Sequence, residues 1–394
     1  MRIDHIEARQ IIDTRGNATI ETTLSTDAVQ STASVPSGKS TGSHEAYELR
    51  DSDGSVTHAI ENVNGEIADA ITNRDFDSID SLDDFLIELD GTLNKSRLGA
   101  NAILSVSIAV MRLSAMLEGI PLWKAIANRA GTTPLAPRLF VNVMNGGAHA
   151  NFNLPFQEYI LVIEGKTSDS LPISQEIFTK LGERLGSGTP MGDEGGYAPK
   201  FETLEEPFEI LDSFITEYPG TSIALDAAAS ELFRDGSYQL IGKSYSSEEL
   251  AKIYSEIVEK FPIHSIEDPF AEDAPDDFAK ITSVLGEKIF IIGDDLTCTN
   301  PTRIKNSAHN KEINSVLIKP NQIGTVKEAL EAVKETYAAG FKAVASHRSG
   351  ETNDTFIADF AYGIGAHGLK AGGFGQHERL VKYERLIEIE NESV

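Results

Sequence analysis

The chain has 394 residues, a length that exceeds one ordinary domain and suits a barrel with a smaller partner domain. Its formal net charge of −27 disfavours binding to nucleic acid or anionic membranes, since both require a basic surface and no basic residues are clustered. A single cysteine, Cys298, rules out an internal disulfide, and the sequence shows neither a long uncharged apolar run nor a basic N-terminal leader. We therefore expect a soluble cytoplasmic protein that neither binds nucleic acid nor inserts into a membrane.

The first 130 residues show strand patterns followed by helical patterns. Alternation of apolar and polar residues predicts a small antiparallel meander at residues 2–12, 18–26 and 28–35. Helical periodicity follows at about residues 57–73, 81–90, 100–118 and 121–130. The third of these helices is apolar nearly all round, so we expect it to be buried. The pattern predicts an α+β N-terminal domain over residues 1–130, then a Gly- and Pro-rich boundary and a second domain at 137–394.

A Ser- and Gly-rich loop, VPSGKSTGSHEA at residues 35–46, separates the meander from the helices. Its GKS run resembles the end of a phosphate-binding P-loop, but Ala33 stands where that motif requires a glycine. A loop of this composition is often only a flexible turn. Beside the mouth of a barrel, however, such a loop can close over a substrate, and we predict that residues 35–46 form a lid.

Two short sequence runs at the start of the second domain contain candidate site residues. The run NGGAHANFNLPFQE brings His149, Gln157 and Glu158 to the beginning of a strand, EYILVI. The run MGDEGGYAP sets Asp193 and Glu194 between glycines, which lets the backbone approach a ligand closely. A lone histidine is more often structural than catalytic, and an acidic pair in a turn is often merely exposed.

From about residue 220 onward, short apolar strands end repeatedly in a charged or titratable residue and are followed by a loop and a helix. These strand-end residues are Asp226, Glu267, Asp294, Lys319, His347 and Lys370. A single acidic residue in this position is usually only a helix N-cap. Six in succession favour a (β/α)8-type barrel, because the carboxyl ends of its strands together build one active site. The predicted fold class is therefore α/β, with a smaller α+β domain before the barrel.

Seven short sequence motifs, taken together and in their order along the chain, resemble those of the enolase family. They are DTRGN (13–17), SGKSTG (37–42), GDEGG (192–196), SIEDP (265–269), DDLT (294–297), KPNQIGT (319–325) and SHRSGET (346–352). The resemblance extends over essentially the whole chain. It implies the enolase variant of the barrel and phosphopyruvate hydratase activity, the reversible dehydration of 2-phosphoglycerate to phosphoenolpyruvate in glycolysis and gluconeogenesis.

The resemblance also implies a site for two Mg²⁺ ions. Asp226, Glu267 and Asp294 correspond to the ligands of the first ion, and carboxylate oxygens are the hard ligands that Mg²⁺ prefers. Ser40, in the predicted lid, corresponds to a ligand of the second ion, which arrives with the substrate. The two ions would stabilise the enediolate that forms when the C2 proton leaves.

The remaining roles follow from the same resemblance. Lys319 corresponds to the base that removes the C2 proton, and Glu194 corresponds to the acid that assists departure of the 3-hydroxyl group. A lysine acts as a base near neutral pH only if its pKa is lowered, and we expect the metal ions and Lys370 to lower it. Further catalytic candidates are His149, Glu158 and His347. The implied substrate-binding residues are Gln157, His149, Glu158, Glu267, Asp294, Arg348, Ser349 and Lys370.

Two positions depart from the family pattern. Lys39 stands where the family usually has alanine, and Gln376 stands where an arginine is usual. We expect Lys39 to strengthen capture of the phosphorylated substrate, because it adds a cation next to Ser40; the alternative is a side chain that points into water. Gln376 is expected to alter the electrostatics behind Lys370 without changing the reaction.

Two other functions remain open at this point. A racemase or cycloisomerase of the same superfamily often carries Lys-x-Lys at a strand end, which the expected strand does not show, and lacks the phosphate-binding set. A surface-binding protein that merely retains the fold would not need the catalytic residues, all of which are present. The family resemblance further implies a homodimer or a multiple of dimers, and additional display at the cell surface or secretion is compatible with the sequence.

Overall fold

The computed structural model describes residues 1–39, 42–150 and 152–392. The chain begins with a three-stranded antiparallel sheet of β1 (His5–Ile12), β2 (Ala18–Ser25) and β3 (Gln30–Ser34). The turn between the first two strands is held by Asp13, whose Oδ1 accepts backbone hydrogen bonds from Arg15 at 2.9 Å and Asn17 at 2.8 Å. The predicted meander is confirmed.

Helices follow the meander. They are α1 (Thr57–Asn62), α2 (Ala68–Ile71), α3 (Ile79–Asp90), α4 (Ala100–Glu118) and α5 (Leu122–Ala130). A π-helical turn, Val63–Ile67, joins α1 to α2, so the helix predicted at 57–73 is one run with a bulge. Ser78 begins α3 with a reciprocal capping box to Ser81. The predicted helices are confirmed, with boundaries that shift by two residues at most.

Helix α4 is long and apolar enough, by length and composition alone, to cross a membrane. In the fold, 78% of its most apolar window is buried, because the helix packs between the meander and the neighbouring helices. The core helix of a soluble protein passes the same composition test. The predicted burial of α4 is confirmed.

The described part of the chain after α5 contains eleven strands, and eight of them close into a barrel. The strands are β4 (Arg138–Asn145), β5 (Glu158–Ile163), β6 (Thr221–Asp226), β7 (Phe233–Arg234), β8 (Ser237–Leu240), β9 (Lys243–Tyr245), β10 (Ile263–Glu267), β11 (Phe290–Gly293), β12 (Ser315–Ile318), β13 (Lys342–Ser346) and β14 (Gly368–Gly372). Strands β7 to β9 form a small separate sheet, and the others follow one another around the barrel in chain order. An apolar cluster with residues from most barrel strands fills the interior: Phe140, Ile160, Val162, Ala224, Ile292, Leu317 and Val344.

The predicted barrel is confirmed, with one strand reversed. Strand β5 pairs antiparallel with both β4 and β6, whereas the other barrel pairs are parallel. The reversal arises because a loop rather than a crossover helix joins β4 to β5. As a result the first residue of β5, Glu158, faces Asn145 and Asp226, the last residues of its two neighbours. Glu158 therefore lies at the same mouth as the strand-end residues.

Helices cover the outside of the barrel and its mouth. They are α6 (Thr167–Leu185), α7 (Glu206–Ile215), α8 (Ala229–Leu232), α9 (Ser247–Lys260), α10 (Pro275–Leu285), α11 (Pro301–Asn310), α12 (Pro320–Ile323), α13 (Val326–Ala338), α14 (Phe356–Ile364) and α15 (His377–Glu392). The N-terminal elements attach to this layer through the start of α13, where Ser107 Oγ accepts from the Val326 amide at 2.9 Å and Asp83 Oδ2 accepts from the Lys327 amide at 3.0 Å. These bonds satisfy amides that a helix N-terminus leaves without intrahelical partners.

At the end of the barrel opposite the mouth, two histidines are hydrogen-bonded to each other. The Nε2 atoms of His264 and His367 lie 2.9 Å apart, and Arg138 Nη1 lies 3.2 Å from Nδ1 of His367. Burial and the Arg138 charge lower the pKa of His264 to about 4, against which Glu164 acts weakly. Burial, the His264 charge and then Arg138 and Lys342 lower the pKa of His367 to about 3. Both rings are therefore neutral in the folded protein at pH 7.

We predict that this pair destabilises the fold in mild acid. Below about pH 6.5 the unfolded chain binds protons at both histidines and the folded protein does not, so stability falls as the pH drops toward 4. Each histidine should cost on the order of 1 to 2 kcal/mol between pH 7.5 and pH 5. Urea unfolding of the wild type and of a double variant, His264→Gln with His367→Gln, measures the difference. An equal loss of stability in both proteins over that pH range would contradict the assignment.

Candidate active site

The strand-end residues predicted from the sequence meet at one mouth of the barrel. Asp226 and Glu267 end β6 and β10 and are direct neighbours in the sheet register. Asp294, Lys319 and His347 each follow directly after a strand. Lys370, the last of the six predicted strand-end residues, lies within β14. Except for Lys319, which keeps 12% of its side chain exposed, these residues are buried.

Lys370 is the central cation of this site. Its Nζ lies 2.9 Å from Asp226 Oδ2, 2.9 Å from Glu267 Oε2 and 3.1 Å from Glu158 Oε1. Burial alone would lower the pKa of Lys370, but the three carboxylates outweigh burial and raise that pKa well above its usual range. Lys370 is therefore a fixed positive charge among buried carboxylates.

Lys319 is the second cation and is paired with Asp294. Burial would lower the pKa of Lys319, and the Asp294 carboxylate more than reverses that effect, while Arg348 and Lys370 act to lower the pKa. In this arrangement the pKa of Lys319 is raised, so its ammonium form is favoured. The sequence led us to expect a lowered pKa for Lys319. That lowering requires another cation to bind the Asp294 carboxylate in place of Lys319.

Carboxylates outnumber the cations that neutralise them at the mouth. Burial, followed by repulsion from neighbouring acids, raises the pKa of Glu158 and of Glu267 well above the usual range. Asp268 and Asp295 show the same rise for the same two reasons. Buried carboxylates that repel one another are the donor set that binds a hard divalent cation. The residues at this mouth therefore fit a metal ion.

Among the described residues, two groups of three place potential ligand atoms within 4.8 Å of one another. They are His149, Glu158 and Glu194, and Asp268, Asp294 and Asp295. The trio predicted from the sequence differs from both. In this structure Asp226 and Glu267 share the Lys370 ammonium, and Asp294 pairs with Lys319. The carboxylate of Asp268 already accepts the backbone amides of Asp294 at 2.9 Å and Asp295 at 2.8 Å, so it shapes this turn. Ser40 lies outside the described residues.

Glu194 lies across the mouth, between two histidines. Its carboxylate is 3.5 Å from His149 Nε2 and 3.5 Å from His347 Nε2, and it accepts a hydrogen bond from Asn142 Nδ2 at 3.1 Å. Burial would raise the pKa of Glu194, but the charges of His149, His347 and Arg379 hold that pKa well below its usual range. Burial also lowers the pKa of His347 to about 3. This side of the mouth is therefore a compact group of buried titratable residues.

The glycines around Glu194 are needed for close backbone contact. A Cβ at Gly192 would lie 2.4 Å from the Cβ of Asn145, and Gly195 has a φ of +77°. Only glycine tolerates both the closeness and the left-handed backbone without strain. The loop uses these glycines to pack against β4, and its predicted close approach to a ligand stays a prediction.

The remaining predicted residues bring further polar groups to the site. Arg348 forms two bonds to the Glu45 carboxylate, at 2.9 and 3.0 Å. Ser349 Oγ accepts from Arg15 Nη1 at 3.2 Å, and Gln157 Nε2 lies 3.4 Å from Asp226 Oδ2. One cavity contains these residues together with most of the other predicted ones: His149, Gln157, Glu158, Glu194, Asp226, Asp294, Lys319, His347, Arg348, Ser349 and Lys370. Glu267 does not line this cavity and bonds to Lys370 instead.

Sequence reasoning missed two residues that organise the site. Arg379 is fully buried in α15, contacts His347 Nδ1 and donates to the carbonyls of Asp193 at 3.0 Å, Arg348 at 3.2 Å and Ser349 at 2.9 Å. It therefore ties two site loops together across the fold. Gln376 Oε1 accepts a hydrogen bond from Arg379 Nε at 2.6 Å. The glutamine that departs from the family pattern therefore contacts Arg379, and not the surroundings of Lys370 as expected from the sequence.

Asn142 is the second missed residue. Its Nδ2 donates to Glu158 at 2.9 Å and to Glu194 at 3.1 Å, and all three side chains are buried. The amide therefore links two carboxylates that would otherwise repel each other. In the sequence, Asn142 stands inside an apolar strand, LFVNVMN, and a polar residue in such a strand was the available signal.

These features define an enzyme of the barrel class, with a buried polar cavity suited to a small molecule and carboxylates suited to a metal ion. Family models for the enolase N-terminal domain and the enolase C-terminal TIM barrel domain match residues 3–126 and 134–394. Enolase B of Dictyostelium discoideum is 45% identical over 421 residues, which cover 100% of this chain and 95% of that protein. The enolases of two Campylobacter jejuni strains are 44% identical over 406 residues, covering 99% of this chain and 97% of theirs. The chain belongs to the enolase family, and the prediction of an enolase-type hydro-lyase is confirmed.

Proposed function

We propose that this enzyme interconverts 2-phosphoglycerate and phosphoenolpyruvate in the cytoplasm, with Mg²⁺ as its metal ion. The observation that carries the proposal is the placement of Lys319 and Glu194 on opposite sides of one cavity. Lys319 follows β12, and Glu194 bonds to Asn142 of β4 and lies beside Glu158 of β5, on the far side of the ring of eight strands. A base and an acid separated in this way suit an elimination that removes a proton from one carbon and a hydroxyl group from the next.

The proposed reaction moves two protons. Lys319 Nζ first takes the proton from C2, and the electron pair of the broken C2–H bond is held as an enediolate with the substrate carboxylate. That pair then forms the C2–C3 double bond as the C3–O bond breaks. Glu194 donates a proton to the departing oxygen, which leaves as water; because its pKa is held low in the substrate-free site, Glu194 must take up this proton when the substrate is bound. A lysine base combined with Mg²⁺ is the known pattern of this superfamily. His149 and His347 flank Glu194 at 3.5 Å and orient its carboxyl group.

The metal ion in this proposal is held by carboxylates at three neighbouring strand ends. Asp226, Glu267 and Asp294 supply the oxygen ligands, and the carboxylate excess at the mouth supports a divalent cation there. When bound, Mg²⁺ stabilises the negative charge of the enediolate. Ser40 is proposed to join a second ion that arrives with the substrate. Binding of Asp294 to a metal ion would draw that carboxylate away from Lys319. The influence that raises the Lys319 pKa would then be removed, and Lys319 would be a better base.

Substrate binding is assigned to the remaining polar residues of the cavity. Arg348, Ser349 and Lys370 follow or belong to the last two barrel strands, the place where barrels commonly bind phosphate. Gln157 and Glu158 complete the cavity at the start of β5. We assign residues 1–130 to a capping domain and 137–394 to the barrel domain, with residues 35–46 as a lid. The two backbone hydrogen bonds between Ser37 and Gly350, at 2.8 and 2.9 Å, anchor the start of that lid beside Ser349.

Isotope exchange separates the two proposed proton-transfer roles. Lys319→Ala should lose both exchange of the C2 proton with heavy water and formation of phosphoenolpyruvate. Glu194→Gln should retain the exchange, while elimination falls by roughly 10²- to 10⁴-fold, the usual effect of losing a general acid. The exposed residues Lys334 and Glu88 provide matched controls, and Lys334→Ala and Glu88→Gln should behave as the wild type.

The opposite pattern would reverse the assignment. If Glu194→Gln lost the exchange while Lys319→Ala retained it, Glu194 would be the base and Lys319 an electrostatic partner. A wild-type protein that produced no phosphoenolpyruvate from 2-phosphoglycerate with Mg²⁺ present would contradict the proposed function as a whole.

A homodimer, or a multiple of dimers, is also proposed. Its support is family membership, since symmetric association is the common arrangement of soluble oligomeric enzymes. Light scattering coupled to gel filtration should give a mass of at least twice the 42.7 kDa of one chain. A single-chain mass at the concentration where the enzyme is fully active would refute this proposal.

A further inference from the structure

The Lys39 ammonium has two hydrogen-bond acceptors that were not foreseen from the sequence. Its Nζ donates to Asp193 Oδ2 at 2.6 Å and to the backbone carbonyl of Ala148 at 2.9 Å. The Lys39 and Asp193 side chains are partly exposed, at 37% and 31%. The ammonium is therefore bonded to two protein acceptors in the substrate-free structure, and these acceptors point to a role other than the phosphate capture expected from the sequence, which stays untested.

The two acceptors belong to the loops that carry His149 and Glu194. Ala148 directly precedes His149, and Asp193 directly precedes Glu194. The loops also bond to each other, because the Asp193 amide donates to the His149 carbonyl at 3.1 Å. Lys39 therefore bridges both loops at a point one residue away from each member of the His149–Glu194 contact.

The charge of Asp193 is well defined. Interaction with His149, whose Nδ1 lies 3.7 Å from Asp193 Oδ2, is the largest influence that lowers the pKa of Asp193 to about 2. Burial opposes this shift, and the bond from Lys39 adds to it. Asp193 is therefore ionised at neutral pH, and its contact with Lys39 is an ion pair reinforced by a hydrogen bond.

We propose that Lys39 is a positioning residue, which sets the geometry of His149 and Glu194 by tying residues 35–39 to the loops at 148 and 193. This inference rests on the proposed dehydration of 2-phosphoglycerate. Lys39 acts through Asp193 and the Ala148 carbonyl and does not touch the substrate. Its removal should therefore change the chemical step, governed by Glu194, more than substrate capture.

The expected effect is modest and depends on salt. A partly exposed ion pair contributes an amount equivalent to roughly 2- to 5-fold in an equilibrium or rate constant. Lys39→Ala should lower kcat by that factor at low ionic strength and leave KM nearly unchanged. The difference from the wild type should shrink in 1 M KCl, where screening acts over about 3 Å, but should not vanish, because the wild-type hydrogen bonds to Asp193 and Ala148 remain. Lys39→Arg, which can still reach both acceptors, should restore kcat.

A double-mutant cycle with Asp193→Asn gives the sharpest test. Because both variants break the same ion pair, the double variant should lose no more activity than the more affected single variant. Lys243→Ala, at an exposed position in β9, is the matched control and should leave kcat and KM unchanged. Circular dichroism on each variant confirms that the fold is intact.

Three results would overturn the proposal. They are additive losses in the cycle, a loss of kcat that is the same at low ionic strength and in 1 M KCl, and a change confined to KM accompanied by weaker competitive inhibition by inorganic phosphate. The third result would restore the phosphate-capture role expected from the sequence. These outcomes are distinct from failure of the proposed function, in which the wild type itself would not dehydrate 2-phosphoglycerate.

Discussion

Crowding of buried carboxylates at the barrel mouth is the constraint on which the rest of the site depends. Glu158, Asp226 and Glu267 converge on the single ammonium of Lys370, at distances of 2.9 to 3.1 Å. Removing one partner from a buried ionic group leaves an uncompensated charge, which is strongly destabilising. Because the carboxylates still outnumber the cations, the same arrangement that must be neutralised for folding is suited to holding a divalent ion.

The loops around this centre are held from several parts of the chain. The meander contributes Asp13, whose Oδ2 accepts from Ser37 Oγ at 2.9 Å, and α15 contributes Arg379. Glu45, in the segment before α1, forms an ion pair with Arg348. Strands thus deliver the charged groups, while distant elements fix the loops that position them. A catalytic geometry needs this kind of support, because small displacements of the reacting groups cost large factors in rate.

The strand-end groups could be predicted from sequence because their pattern is local. Asp226, Glu267 and Asp294 each stand at the end of a short apolar run, and parallel strands bring such ends together. The reversed direction of β5 is not encoded in its own six residues, although Glu158 was found at its start. Arg379 could not be located, because its acceptors at Asp193 and Ser349 are 186 and 30 residues away and are backbone carbonyls that any sequence provides. The partners of Lys39 were missed because Asp193 and Ala148 lie 154 and 109 residues further along the chain.

Calorimetric titration of the substrate-free protein with Mg²⁺ tests the central claim most directly, since it reports binding without activity. The wild type should bind the ion, and Asp294→Asn and Glu267→Gln should each weaken binding roughly 10-fold or more, because even residues that merely orient metal ligands have effects of that size. Asp276→Asn, at an exposed position in the first turn of α10, should bind as the wild type does. Undiminished Mg²⁺ binding in both Asp294→Asn and Glu267→Gln would contradict the account.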